Sequence, residues 1–363
     1  MRQFLIRRKT IGIALAALFL TVIGSACGDE GKPKAQPTDV AAPTPAPSAT
    51  PVSAQKRTLV VYSGRSESLI APVIKQFSEA TGIEVQVKYG ATSALAATLL
   101  EEGAKSPADI YFAQDPGDLG VVKGMLTALP IDVLNAVPAW ARSPEGRWVG
   151  ISGRARVVVY NTDRLTEADL PDSVTGFTEP RWKDKIGWAP ANASFQAMIS
   201  AMRIAWGEQK TLAWVKGIQA NQPKVLPNNT SIVQAVARGE IEVGFANHYY
   251  LHQLLAQQGE DIKARNYFTR DADPGSIVLV AGAGVLATSQ SKESAEMFLR
   301  FMLSAPAQQY FVSQTHEYPL VVGVAKDRLL PELDKLQKPD IDLARLDDVK
   351  GTQALLRQAG AIP

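Results

Sequence analysis

The chain has 363 residues, 46% of them hydrophobic and 20% charged, with one cysteine and three histidines. That is enough chain for two α/β lobes of ordinary size in a soluble globular protein. Of its formal charge of +2, four cations (Arg2, Arg7, Arg8 and Lys9) lie in a segment that reads as removable. The remainder carries about −2, which excludes the basic patch a nucleic-acid partner needs.

Residues 1–26 read as a bacterial secretory signal: a basic start, an apolar run over 11–23, then the small residues Gly24, Ser25 and Ala26. Cys27 follows at once. With no second cysteine it cannot form an internal disulfide, and its place resembles the lipidated cysteine of bacterial lipoproteins, although Gly24 stands where that family prefers an aliphatic residue. An uncleaved anchor helix is the alternative. Residues 27–56 are rich in Pro, Ala, Ser and Thr and read as an extended tether, because such a segment buries too little apolar surface to offset its ordering entropy.

The folded part begins with an apolar strand over 57–62, a polar loop, and a helix over 67–81 stopped by Gly82. A strand over 83–87, a helix over 94–102, a strand over 109–113 and a further helix after Gly117 follow. Strand, loop and helix repeated in this way predict a parallel, doubly wound sheet, with ligands at the carboxyl ends of the strands. A long apolar strand over 154–161 reads as the crossing into a second lobe. That lobe holds a strand over 185–188 before a helix to Trp206, and a strand over 224–226 before a helix to Arg238. The run 276–280 returns the chain to the first lobe. The expected organisation is a first lobe of residues 57–155 plus 280–330, a second of 156–279, and a helical tail over 331–363 lying across the lobes.

The most informative stretch is residues 241–251. It reads as a strand over 241–245, Asn247 as N-cap, and a helix over 248–258 stopped by Gly259, which puts Tyr249 and Tyr250 in the first turn. Neighbours there diverge by about 100°, so two phenol oxygens can meet at one point beside free helix N–H groups. A phenol with a pKa near 10 ionises only when something strongly cationic holds it, and a hard trivalent metal would do so. The plainer reading is two packing residues with their hydroxyls in water.

Residues 60–66, 107–110, 154–161 and 247–250 together resemble the ferric-iron-binding receptors of bacterial ABC importers, in order and spacing over about 57–330. The resemblance implies the two-lobed, hinged periplasmic-binding-protein fold of type II, each lobe a parallel-rich sheet flanked by helices, closing on Fe3+ and delivering it to a permease and its ATPase. It implies Tyr249 and Tyr250 as the iron ligands. Where many members add a His or a His-Tyr pair after the first strand, this chain has Ser66 and Glu67. A carboxylate of other members is matched by Ala113 beside Gln114, and a third tyrosine by Phe195. The remaining donors would come from carbonate, phosphate, water or Glu67, with Tyr160 as a further candidate that reads rather as a hinge or core residue.

An anion fits the helix N-termini expected at the cleft. Ser63, Arg65, Ser66, Thr92, Ser93, Gln114, Ala193, Ser194 and Asn229 are placed to hold it, and carbonate or phosphate is the expected companion of iron. Taken singly, each Ser or Asn also reads as an ordinary N-cap. Arg154 and Arg156 share a strand face and could pair with acids or an anion at the hinge. His248 and His252 have zinc-binding spacing but no matching third ligand, so they read as solvent-facing; His316 has no evident partner. Without Gly-x-Ser-x-Gly or His-Glu-x-x-His, no enzyme is indicated. The picture is a monomeric, exported, lipid-anchored receptor facing the periplasm or exterior, and the competing one is a receptor of the same fold for a small anion or organic acid without metal.

Overall fold

The computed structural model describes residues 57–363; the signal segment, Cys27 and the tether lie outside the described residues. The first strand β1 (Thr58–Ser63) runs parallel to β2 (Glu84–Tyr89) and β3 (Ile110–Ala113) on either side. Helices α1 (Glu67–Thr81), α2 (Thr92–Glu102), α3 (Pro116–Val121) and α4 (Ile131–Asn135) punctuate this part. The α1 bounds follow from local chemistry: Gly82 takes φ 69° and its N–H closes on the Ser78 carbonyl, a left-handed stop that favours glycine.

Strand β4 (Val149–Asn161) is the spine, buried along all its 13 residues. Its first half pairs antiparallel with β9 (Val278–Val285), and its second half with β7 (Val243–Asn247) and β8 (Ala264–Tyr267). Beyond β7 lie β5 (Ile186–Trp188) and β6 (Lys224–Val225), both parallel, giving the order β2-β1-β3-β9-β4-β7-β5-β6. The short β10 (Tyr318–Pro319) also rests on β4. The sheet is therefore mixed. Parallel triplets sit at its two ends, as the expected parallel-rich lobes require, and the long strands β4 and β9 run antiparallel to their neighbours between them.

Helices α5 (Ala193–Trp206), α6 (Glu208–Ala220), α7 (Asn229–Ala237) and α8 (Tyr249–Gln258) surround β5–β7, while α9 (Lys292–Met302) and α10 (Ala305–Gln314) follow β9. Asn192 caps α5 by accepting from the Ser194 N–H, and Asn228 caps α7 by accepting from the Ser231 N–H. Phe195 packs edge-on against Trp188 with centroids 5.5 Å apart, and also meets Trp214 and Phe245. That aromatic cluster fixes α5 against β7 and commits Phe195 to the core.

In the tail, residues 343–347 lie so close to α3 that a Cβ on Gly117 would come 2.6 Å from the Leu346 carbonyl. The last helix, α11 (Val349–Gln358), packs on α5 and α6. It is tied there by Ser200 to Thr352 at 2.7 Å and by Arg203 to Asp348 at 2.7 Å. No helix among the described residues is long and apolar enough to cross a membrane.

Candidate ligand site

At the β7–α8 junction the strand ends two residues later, and the helix is capped one residue later, than expected. Asn247 ends the strand instead of capping the helix, and His248 takes the N-cap place with no side-chain cap bond. The reason lies in the partner strand. Asn247 stands opposite Arg156 in the β4–β7 register, and its carboxamide oxygen accepts from Arg156 Nη1 at 2.9 Å. A side chain committed across the sheet is not free to cap the next helix.

Tyr249 is fully buried and Tyr250 half-buried, their rings stacked with centroids 4.2 Å apart and planes 31° apart. The Tyr249 hydroxyl is buried and makes no hydrogen bond of good geometry, although Arg65 and Tyr250 lie close enough to interact with it, which overturns the plainer reading of a hydroxyl in water. Burial pushes the Tyr250 phenol well above its ordinary value, helped by Tyr249, while Arg65 and Arg154 pull it down.

Three buried guanidiniums surround this pair. Arg65, held between β1 and α1, has its Cζ 5.9 Å from the Tyr249 ring centroid and donates from Nη2 to Glu317 at 2.6 Å. Burial works against its charge, but Glu317 and both phenols outweigh that and hold it above its ordinary value. Arg154 forms a buried ion pair with Asp115. Arg156 donates from Nη1 to Asn247 and, at 3.2 Å, to Asn229; burial lowers it to about 10, with Arg154 adding repulsion and Asp115 and the two tyrosines opposing. On each arginine, Nε and one terminal nitrogen are buried without a partner. Three guanidiniums thus face two carboxylates, with six donor nitrogens and one phenol oxygen unmatched. Buried donors in that number are costly unless an acceptor-rich, negatively charged ligand meets them.

The polar floor joins the elements. Gln114 Nε2 donates to Ser194 Oγ at 2.9 Å, Asn247 Nδ2 donates to the same oxygen at 3.2 Å, and Ser194 Oγ reaches Asp115 at 3.4 Å. Asn229 accepts from the Asn247 N–H at 3.2 Å. The structure therefore brings together Arg65, Gln114, Ser194, Asn229, Tyr249 and Tyr250. Ser63 supports them indirectly, its Oγ accepting from the Arg65 N–H at 3.0 Å. Thr92 packs under Gly64, where a Cβ would come 2.1 Å from its Oγ1.

Other expected residues lie elsewhere. Ser66 and Glu67 are exposed at the start of α1, where Glu67 acts on Tyr89. Ser93 lines a separate groove of about 470 Å³ with Leu100, Asp118 and Gln353, and Ala193 lines a small crevice beside Asp115 and Gln196. Tyr160 pairs with Val243, at the opposite end of β7 from Asn247, and its hydroxyl environment is set by burial, Glu167 and Arg265. The histidines are a clear correction. His248 and His252 are buried rather than solvent-facing: His248 Nδ1 accepts from the Ala155 N–H at 3.1 Å and Nε2 meets the His316 carbonyl at 2.8 Å. His316 does have a partner, Asp327, at 2.8 Å. The cause is the segment after α10, which covers this face of α8.

Sequence reasoning missed Asp115, Asn247 and Glu317 as site residues. Asp115 follows Gln114 at the carboxyl end of β3 and was within reach of the strand-end rule. Glu317 stands 252 residues from Arg65 in a stretch without a motif, and only the fold joins them. Among the described residues no cluster of three His, Cys, Asp or Glu side chains is arranged to hold a metal.

Residues 104–345 match the sequence profile described as bacterial extracellular solute-binding protein. The major ferric iron-binding protein of Neisseria meningitidis serogroup B is 34% identical over 86% of this chain and 95% of its own length. Iron uptake protein A1 of Synechocystis is 30% identical over 95% of each. The crystal structure of iron-bound HitA from Pseudomonas aeruginosa superposes with a TM-score of 0.81 at 31% identity, covering 84% of this chain and 99% of that one. The fold is thus the type II periplasmic-binding-protein fold, and the chain belongs to the bacterial extracellular solute-binding protein family, among relatives named for ferric iron binding.

Proposed function

We propose that the protein is the substrate-binding receptor of an ABC importer, taking ferric iron together with an anion and delivering it to a permease and its ATPase. The observation that carries this reading is the stacked Tyr249–Tyr250 pair, with a buried hydroxyl that makes no hydrogen bond of good geometry, set among three guanidiniums. Two phenolates on Fe3+ leave one positive charge, and three guanidiniums against Asp115 and Glu317 leave another. A dianion such as carbonate or hydrogen phosphate balances the two and supplies the oxygen donors that the phenols do not. Arg65, Arg154 and Arg156 would hold it through their free N–H groups, Arg being suited to planar oxyanions.

Gln114 and Asp115 approach from the β3–α3 side, and Ser194, Asn229 and the tyrosines from the other. Ligand contacts made from both sides favour the closed arrangement, and only such differential affinity can move a hinge between residues 57–155 plus 280–330 and residues 156–279. A monomer exported by residues 1–26 and anchored through Cys27 by the tether completes the reading. No catalytic step is part of it.

The test is a visible absorption titration of iron-stripped protein starting at residue 57, with ferric salt, in the presence and absence of bicarbonate or phosphate. A saturable phenolate-to-iron band that depends on the anion supports the proposal. The three guanidiniums favour one other reading, a receptor for a small anion or organic acid without metal. Saturable anion binding with no coloured band at stoichiometric iron would establish that reading instead.

A further inference from the structure

We propose that Glu317 is a specificity-determining residue, setting how the pocket divides its affinity between a cation and an anion; the cation arm rests on the ferric reading above. The side chain is fully buried. Its Oε2 accepts from Arg65 Nη2 at 2.6 Å and from Thr315 Oγ1 at 2.9 Å, and its Oε1 accepts from Ser152 Oγ at 2.9 Å. Three donors from three elements leave it no alternative position. The segment that carries it is fixed as well: the His316 carbonyl is bonded to His248 Nε2, Tyr318 pairs with Gly153, and the Tyr318 hydroxyl donates to the Pro331 carbonyl at 3.1 Å.

Glu317 therefore acts in two ways. It pins Arg65 by one terminal nitrogen, leaving Nε and Nη1 free beside Tyr249. It also places a fixed negative charge behind that guanidinium, so that the pocket presents one excess positive charge instead of two. A more positive pocket repels Fe3+ and attracts an oxyanion. A unit charge about 10 Å away, in surroundings of effective dielectric about 20, changes a binding constant by about tenfold for each charge on the ligand.

The experiment compares the parent with Glu317→Gln, nearly isosteric but uncharged. Inorganic phosphate binding to iron-free protein is read by calorimetry, and ferric affinity by competition with nitrilotriacetate in phosphate-free buffer. The expected result is opposite movement: affinity for the phosphate dianion up about a hundredfold, and ferric affinity, measured without bicarbonate or any other companion anion, down about tenfold, since Fe3+ on two phenolates brings in one net positive charge. A residue with a merely structural role would lower both, and that outcome overturns the proposal while leaving the ferric reading intact. Should the parent bind phosphate but no iron, the ferric reading fails and the rise in phosphate affinity alone still upholds Glu317. If Glu317→Gln does not fold, Glu317→Asp keeps the charge, so the ratio of the two affinities should stay at the parent value; a shift in that ratio refutes the assignment.

Discussion

The Arg154–Asp115 pair offers the sharpest check on the buried electrostatics. Both side chains are sealed from solvent, at 0% and 2% exposure. Asp115→Ala leaves a guanidinium buried with no carboxylate, an uncompensated charge that costs about 3–5 kcal/mol. In a chain of this size 1 kcal/mol moves Tm by roughly 2 °C, so the expected drop is roughly 6–10 °C. The loss extends to Arg156, which burial already lowers to about 10 and which Asp115 helps to keep charged. Replacing both partners, as Asp115→Leu with Arg154→Met, removes the desolvated charges together and should recover most of the stability. Scanning calorimetry and urea unfolding of the two singles and the double give the coupling. A single Asp115→Ala variant that loses less than about 1 kcal/mol would show that the pair is hydrated and the pocket open to water.

Three further outcomes are expected. Asp118 is pushed up to about 7, first by burial and then by Asp115. The native state thus holds a proton that the unfolded chain releases near pH 4, so this group makes stability fall as pH rises between about 4 and 7, by at most about 1.4 kcal/mol per pH unit; Asp118→Asn should flatten that slope in denaturation measured at several pH values. Gly64→Ala should destabilise by about 1–3 kcal/mol, since its Cβ meets Thr92 Oγ1 at 2.1 Å and the Thr92 Cα at 2.9 Å. It should also weaken ligand binding by moving Arg65, whereas unchanged Tm and affinity would mean the β1–α1 loop is not held against α2. Finally, Arg156→Lys keeps the charge but removes the unpartnered Nε and Nη2 donors that an oxyanion would meet, and phosphate affinity measured by calorimetry should fall about tenfold or more.

Much of the architecture was legible because it is written locally. The span of α1 follows from an apolar periodicity and a glycine stop, and the Asn192 and Asn228 caps follow from an amide before a helix. The tyrosine pair was visible for the same reason, as two adjacent phenols after a strand. What escaped depends on distant partners. The β7 register is set by Arg156 on β4, so the strand runs two residues further than its own composition suggests. The buried state of His248 and His252 is imposed by residues 315–327, more than 60 positions along the chain. The helix α6 and strand β8 carry weak signals, α6 being polar over much of its length and β8 only four residues long. The carboxylates that balance the arginines have no signature beyond their charge, and Glu317 becomes meaningful only when β10 lays it beside Ser152 and Arg65.

Resonance Raman spectroscopy of the iron-loaded protein, excited within its visible band, tests the central claim most directly. The account predicts enhanced phenolate ring vibrations that diminish in Tyr249→Phe, diminish again in Tyr250→Phe, and vanish when both are replaced. Iron bound at stoichiometry with no tyrosinate modes, or modes unaffected by either substitution, would contradict it and move the metal away from the Tyr249–Tyr250 pair.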